Sequence, residues 1–361
     1  MTVSIEHAQS AAAVDEFIAL HDRVYESRSA RWPADAEFHR SFLRGESAFC
    51  DGRTFRPLVA REHGEVVARV LALVDERYCR YWNERLGHLA LFEALPGARA
   101  ATRMLMDEAC DWLAERGAQA ARAGFWPPLD DPFVIDEYEL LPPVTFRQNP
   151  IGYHALLKGA HFESEQGWAD YRATVSLDLI ERWERTVAEA RARGFDIKPL
   201  AQLPEQQWRT HLTDTFNDTF RTHWGMPLPF SPAEFGEFLD GAAELRALET
   251  SVLAYRGGDP VGFVLIIPDA SRGAVLSPGR TLVAEERVNF LAIGVRQAAR
   301  GRGLNLAMAG HAFVELARRG AACVGYTLVL DDNWPSRRTG ERLGADLCAN
   351  YMVYRRDFHR R

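Results

Sequence analysis

The residues best suited to chemistry sit in one turn, Arg300-Gly301-Arg302-Gly303-Leu304-Asn305. It begins after four residues that follow an apolar run ending at Val295 and leads directly into an amphipathic stretch from Leu304 to Arg319. Glycines let backbone approach a ligand closely, and a helix start offers unpaired N–H groups at the positive end of its dipole. Two arginines in the turn add charge-assisted donors for phosphate oxygens. Together these make a pyrophosphate cradle, although a strand, a glycine turn and a helix also occur as a plain connection. Carboxylates flank the cradle: Glu285 and Glu286 precede the run Val288–Val295, and Asp331 and Asp332 close the next one. Each suits a general base or an ordinary exposed turn.

A second segment, Thr219 to Phe230, reads Thr-Phe-Arg-Thr-His-Trp-Gly-Met-Pro-Leu-Pro-Phe. His223-Trp224-Gly225 followed by two prolines makes a rigid aromatic loop, suited to a small apolar or amine-bearing ligand. Trp224 and Phe230 serve equally well to close a core, and His223 is a base or a structural histidine.

The elements that must position these residues alternate between short apolar runs and amphipathic stretches, which reads as α/β or α+β. In the first half the pattern predicts a strand at 3–6, a helix over 11–25, a hairpin of 57–61 with 66–75 through His63-Gly64, and a strand at 86–95. A helix over 98–116, a strand near 120–126 and an extended proline-rich stretch from Pro127 to Pro150 follow. The second half repeats the order: a hairpin of 251–256 with 261–267 around Gly257-Gly258, a strand at 288–295, a helix at 304–319 and a strand at 322–330. Leu113-Ala-Glu-Arg-Gly117-Ala and Leu316-Ala-Arg-Arg-Gly320-Ala close the two long helices alike. Duplication explains this economically. The predicted division is a first domain over 1–175, a connecting helix over 176–194 and a second domain over 195–361.

Composition narrows the function classes. The 361 residues are 47% hydrophobic and carry a net charge of −7, which disfavours a general polyanion binder such as a DNA-binding protein. The charge is uneven: residues 290–361 hold 12 Arg against 6 acidic residues, so an anion belongs in the last fifth. Nothing approaches the roughly 18 unbroken apolar residues of a bilayer span. Five scattered cysteines, without a paired spacing, read as reduced thiols of a cytoplasmic protein. The histidines lack metal-ligand spacing, so no metal is expected, and no nucleophile elbow is present.

At the cradle the sequence resembles the GNAT superfamily of N-acetyltransferases, in particular its tandem bacterial subgroup without an assigned substrate. The family's acyl-CoA signature is Arg or Gln, two residues, Gly, one residue, then Gly or Ala. Arg300 and Gly303 match it, and Asn305 departs at the third place. Asp332-Asn333-Trp334-Pro335-Ser336 and Leu343-Gly344-Ala345 fit downstream.

The resemblance implies two GNAT-like domains in tandem, each a mostly antiparallel, centrally splayed sheet flanked by helices. It implies an N-acyltransferase moving an acyl group, acetyl most simply, from acyl-CoA to the amine of a small molecule. The cofactor-binding set would be Ile293, Val295, Arg300, Gly301, Arg302, Gly303, Leu304, Asn305, Asn333 and Ser336. Catalysis would draw on Tyr326, Glu286 and Asp332, and acceptor contacts on His223, Trp224 and Phe230. Many members place a general-acid tyrosine where this chain has Gly340, so Tyr326 on the preceding strand, or Tyr351 or Tyr354 on the last one, is the candidate substitute, each serving equally as a packed strand aromatic. In the first half the matching stretch is Pro96-Gly97-Ala98-Arg99, without paired arginines, which implies a degenerate site. A donor that is an aminoacyl-tRNA or a carrier protein, and a non-catalytic acyl-CoA-binding protein, are the alternatives. The chain is expected to be a monomer or homodimer.

Overall fold

Positive φ angles at His63, Gly64, Gly257 and Gly258 turn the chain back on itself at two places, the geometry that two-residue hairpin loops require. The computed structural model describes residues 3–28, 31–143, 146–244, 247–269 and 287–358. Its first elements are β1 (Val3–His7), α1 (Ala11–Tyr25), α2 (Ala36–Leu43), β2 (Arg53–Glu62), β3 (Glu65–Asp75) and α3 (Glu76–Trp82). Then come β4 (Leu86–Ala94), α4 (Arg99–Glu115), β5 (Ala120–Ala123), β6 (Phe133–Val134), α5 (Tyr153–Gly159) and β7 (Glu163–Thr174). Helix α6 (Leu177–Ala192) leads to β8 (Phe195–Pro199), α7 (Glu205–Thr219), α8 (Pro232–Glu244), β9 (Val252–Arg256) and β10 (Asp259–Pro268). The chain finishes with β11 (Arg287–Val295), α9 (Leu304–Arg318), β12 (Cys323–Leu330), α10 (Trp334–Arg342) and β13 (Asp346–Asp357).

The fold is mixed α/β: one large sheet carries helices on its faces, and its path runs β1-β2-β3-β4-β5-β13-β7-β12-β11-β10-β9-β8. The two halves do not keep separate sheets. Strand β7, from the first half, lies against β12, and the final strand β13 lies between β5 and β7. Each half thus lends its last strand to the other, and the sheet runs unbroken through the junction. Most neighbours are antiparallel; β4–β5 and β11–β12 are parallel.

Amphipathic spacing explains the helices. In α4 the buried residues Ala101, Leu105, Met106, Ala109, Cys110 and Leu113 fall on one face. In α9, Gly310 meets the indole of Trp183, where an added Cβ would come within 2.9 Å, so α6 packs flush on α9. Ser10 and Ser176 cap α1 and α6 through their side chains.

Several elements differ from the sequence reading. The strand expected to reach Trp126 stops at Ala123, because Gly124 at φ 93° turns the chain. The stretch expected to be an extended loop instead turns at 127–129, where the Leu129 and Asp130 N–H groups bond the Trp126 carbonyl, and then forms the two-residue strand β6, which pairs with β13. Helices α2, α3 and α5 and strands β7 and β8 were not anticipated. All five cysteines are free. Among the described residues no helix is long and apolar enough to cross a membrane, and no cluster of three or more His, Cys, Asp or Glu is placed to hold a metal ion.

Candidate active site: a parted strand pair and its glycine turn

Strands β11 and β12 pair from Arg287 opposite Cys323 to Phe290 opposite Tyr326, and then separate. Irregularities on both strands produce the parting. On β11, Leu291 is an extra residue, since β10 pairs Leu265 with Ala292 and Ile266 with Phe290. On β12, the register against β7 jumps between Tyr326 and Val329. Bulges bend a strand and raise its local twist. Beyond Phe290 the β12-facing edge of β11 has no strand opposite among the described residues, so its backbone polar groups face the gap, apart from the Val295 carbonyl, which Arg300 holds.

A cavity of about 590 Å³ fills the gap. Phe290 to Val295 form one wall and Tyr326 to Leu328 the other, while Arg300, Gly301, Leu304 and Asn305 close one end. Asn333, Ser336, Arg338, Thr339 and Arg342 of the α10 segment and Thr219, Phe220 and His223 complete the lining.

The glycine turn has the conformation its composition calls for. Gly301 and Gly303 sit at φ 75° and 73°, a left-handed region costly for a residue with a Cβ. Gly303 is the N-cap of α9, so the first N–H groups of that helix open at the cavity end. Arg300 Nε donates to the Val295 carbonyl at 2.9 Å, tying the turn to the end of β11. Asn305 Nδ2 donates to Thr339 Oγ1 at 3.0 Å, so the residue that departs from the glycine pattern links α9 to α10. Asn333 caps α10, accepting from the Ser336 N–H at 3.2 Å. The Ser336 hydroxyl in turn lies 2.7 Å from the Tyr326 hydroxyl. Burial pushes the Tyr326 phenol up to about 12, and its bond to Ser336 pulls the other way, so it keeps its proton near neutral pH.

Residues 209–345 match the model of the Acetyltransferase (GNAT) family. These residues form a GNAT domain. No curated protein matches the sequence, but solved structures share the fold of the whole chain. A tandem GNAT protein from the clavulanic acid biosynthesis pathway is 11% identical with a TM-score of 0.61, covering 100% of both chains. A GCN5-related glucosamine N-acetyltransferase region of a fungal multi-domain GH3 beta-N-acetylglucosaminidase is 17% identical with a TM-score of 0.60. That match covers 98% of this chain, which spans only 38% of the fungal one. A GCN5-related N-acetyltransferase from Sphaerobacter thermophilus is 15% identical with a TM-score of 0.53, covering 98% of this chain and 95% of that one.

Within the GNAT cavity lie Ile293, Val295, Arg300, Gly301, Leu304, Asn305, Asn333, Ser336, Tyr326 and His223. Arg302 and Gly303 shape the turn without lining the cavity; the Arg302 carbonyl accepts from Arg193 at 3.3 Å. Asp332 is exposed beside the cavity, and its charge acts on His223. Glu285 and Glu286 lie outside the described residues. Arg338 and Arg342 were missed by sequence reasoning. They are one helical turn apart on α10, a spacing that places both on one face and that could have signalled them.

Trp224 and Phe230 do not line the cavity and take the core-closing place that the sequence also allowed. Trp224 packs on Phe125 and Trp168 under the guanidinium of Arg122, 4.3 Å from its ring. Phe230 is buried against Phe49, Phe216 and Phe235. The first half grips this whole segment. Trp82 Nε1 donates to the Met226 carbonyl at 2.9 Å, and Tyr81 Oη to that of Arg221 at 2.7 Å. Arg53, with 0% of its side chain exposed, joins Asp75 at 2.9 Å and also Glu234. His223 alone of the three reaches the cavity; burial lowers its imidazole to about 4, so it is neutral at physiological pH.

Gly340 also has a structural reason. A Cβ there would come 3.0 Å from Tyr326 and 3.4 Å from Tyr171, so any side chain at 340 would press on the Tyr326 ring.

In the first half, β4 and β5 pair only from Leu86 with Ala120 to Leu89 with Ala123. The gap beyond is filled by the chain itself. Asp130 accepts from the Leu91 and Gly124 N–H groups at 3.1 and 3.0 Å, and Arg147 bonds to Asp130 and donates to the Phe92 carbonyl at 2.7 Å. Backbone groups that face an open cavity in the second half are satisfied here by buried side chains.

Proposed function

We propose that the second half transfers an acyl group, acetyl most simply, from acyl-CoA to the amine of a small molecule in a ternary complex. We read the chain as halves 1–175 and 195–361 joined by the helix of 176–194, with the catalytic site only in the second. The observation that carries this reading is the cavity itself. It runs without interruption from unpaired β11 backbone to a left-handed glycine turn and a helix start, with three arginines on its lining. That sequence of surroundings fits an elongated ligand with amides in the middle and phosphates at one end.

Bound acyl-CoA would supply an activated thioester carbonyl. Ile293 and Val295 backbone groups would hold the pantetheine amides, as a missing strand would. The N–H groups opening α9, with Arg300, Arg338 and Arg342, would take the phosphates. Asn333 and Ser336 would flank the pantetheine arm. A backbone N–H at the parting would polarise the thioester oxygen and stabilise its negative charge as the amine attacks. Tyr326, protonated and held by Ser336, would donate to the departing sulfur. His223 bonds the Trp224 carbonyl through Nδ1 at 3.3 Å, which leaves Nε2 as the acceptor nitrogen. A weak base there suits an amine proton that becomes strongly acidic once nitrogen has bonded to carbon.

Thiol release from acetyl-CoA across a panel of small amines tests the reading. Amine-dependent release, reduced about 10²-fold or more in Tyr326→Phe with KM for acetyl-CoA unchanged, is the expected outcome. Acetyl-CoA binding without release by any amine would instead make this a non-catalytic acyl-CoA-binding protein.

A further inference from the structure

The strand exchange places a buried carboxylate from the first half behind the cavity of the second. Asp170, on β7, is 2% exposed. Opposite it β12 has two residues where regular pairing allows one: Tyr326 faces Tyr171, Val329 faces Ala169, and Thr327 and Leu328 fall between. Leu328 adopts φ 50°, a left-handed conformation that a leucine rarely takes. Its N–H is turned onto Asp170 Oδ1 at 2.9 Å, while Asp170 Oδ2 accepts from the Tyr351 hydroxyl of β13 at 2.9 Å. Strand β13 slips register opposite the same stretch, between Leu347 and Ala349. Phe290 and Tyr326, the last β11–β12 pair, immediately precede this bulge, and Thr327 and Leu328 line the cavity.

We propose that Asp170 is a positioning residue for acyl transfer: its carboxylate pins the Thr327–Leu328 bulge that bends β12 away from β11, and so fixes the cleft width and the place of the Tyr326 hydroxyl. This rests on the acyl-CoA reading of the cavity. The bulge leaves one N–H without a backbone partner, and a charged acceptor in a dry interior holds such a group firmly. The first half therefore also takes part in the second half's site through Asp170. Burial raises Asp170 to about 6, with the Leu328 N–H and Tyr351 hydroxyl pulling it down. The other titratable groups acting on it are Arg172 and Arg287, both favouring its charge, and Asp131 and Cys348, which it in turn disfavours from ionising.

The test compares the full chain with Asp170→Ala and Asp170→Asn. Amide hydrogen exchange without ligand reads the bulge. Asparagine keeps an oxygen for the Leu328 N–H but loses the charge, so protection at 327–328 falls about three- to fivefold, while alanine loses tenfold or more there. Titration with acetyl-CoA reads the cleft, with the same order of affinities. If wild type binds no acetyl-CoA, the functional reading falls, and exchange at Leu328 still decides whether Asp170 holds the bulge. Should the alanine variant fail to fold, pH decides. Between pH 7.5 and 5, wild-type affinity should fall at least threefold more than that of Asp170→Asn, which controls for titration of the ligand's phosphates. Alanine with wild-type protection and affinity, or parallel pH profiles in the unfolded-alanine case, would overturn the proposal.

Discussion

Replacing Arg53 with leucine removes the one cation shared by Asp75 and Glu234, whose side chains are 1% and 0% exposed. Breaking a buried ion pair from one side costs roughly 3 to 5 kcal/mol, because the partner charge is left uncompensated. Here the lower end applies. Asp75 keeps the backbone N–H groups of Arg77 and Tyr78, each at 2.9 Å. Glu234 keeps Arg77 at 2.9 Å and the Ser231 N–H at 2.7 Å. Both carboxylates are therefore still bonded, and the expected loss is about 3 kcal/mol. Urea unfolding followed by intrinsic fluorescence should show a lower midpoint with an unchanged slope. The double variant Arg53→Leu, Asp75→Asn should recover at least 1 kcal/mol of that loss, roughly one hydrogen bond to a charged group, since the carboxylate left without a cation is gone while Glu234 still has Arg77. A single-variant loss under about 1 kcal/mol, the level of an exposed pair, would refute the reasoning that this network braces the loop carrying His223 against the first half.

Three further outcomes follow from the site. Gly303→Ala should destabilise the chain by about 1 to 2 kcal/mol, the cost of a Cβ in the left-handed region, and weaken acetyl-CoA binding, measured by thermal unfolding and titration. Arg338→Ala with Arg342→Ala should weaken acetyl-CoA much more than a shortened donor lacking the nucleotide, and the difference should shrink as salt is raised, because screening acts on exposed charge pairs. Asp170→Asn should alter the pH dependence of stability. The folded value near 6 lies above the usual carboxylate range, so the folded state binds the proton more tightly and wild type gains stability as pH falls. From pH 7.5 to 4.5 that gain, relative to the variant, should be about 2 kcal/mol; a flat difference would contradict it.

Much of this was legible in local pattern. The glycine turn, the long helices α1, α4 and α9, and both hairpins follow from spacing that acts within a few residues, and they stand where periodicity put them. Pairing between distant segments was not legible. Strand β7 has an alternation broken by Gly167 and Asp170, and both breaks answer to remote partners. Gly167 makes room for the Asp331 carboxylate, and Asp170 serves the bulge on β12. The place of Trp224 and Phe230 stayed open in the sequence because an aromatic, proline-flanked loop suits a ligand or a partner surface alike. What decides between them is the first half, whose Arg122, Tyr81 and Trp82 occupy that loop. The degenerate first site was visible only as a missing motif; that Asp130 and Arg147 fill it depends on a fold-back of the proline-rich stretch.

The central claim is that one acyl-CoA site exists per chain, in the cavity between β11 and β12. Calorimetric titration of acetyl-CoA into wild type and into Arg300→Ala, Arg338→Ala tests it most directly. The account predicts a stoichiometry of one and a Kd raised at least tenfold in the variant. Two sites per chain, undiminished binding in the variant, or no binding by wild type would contradict it.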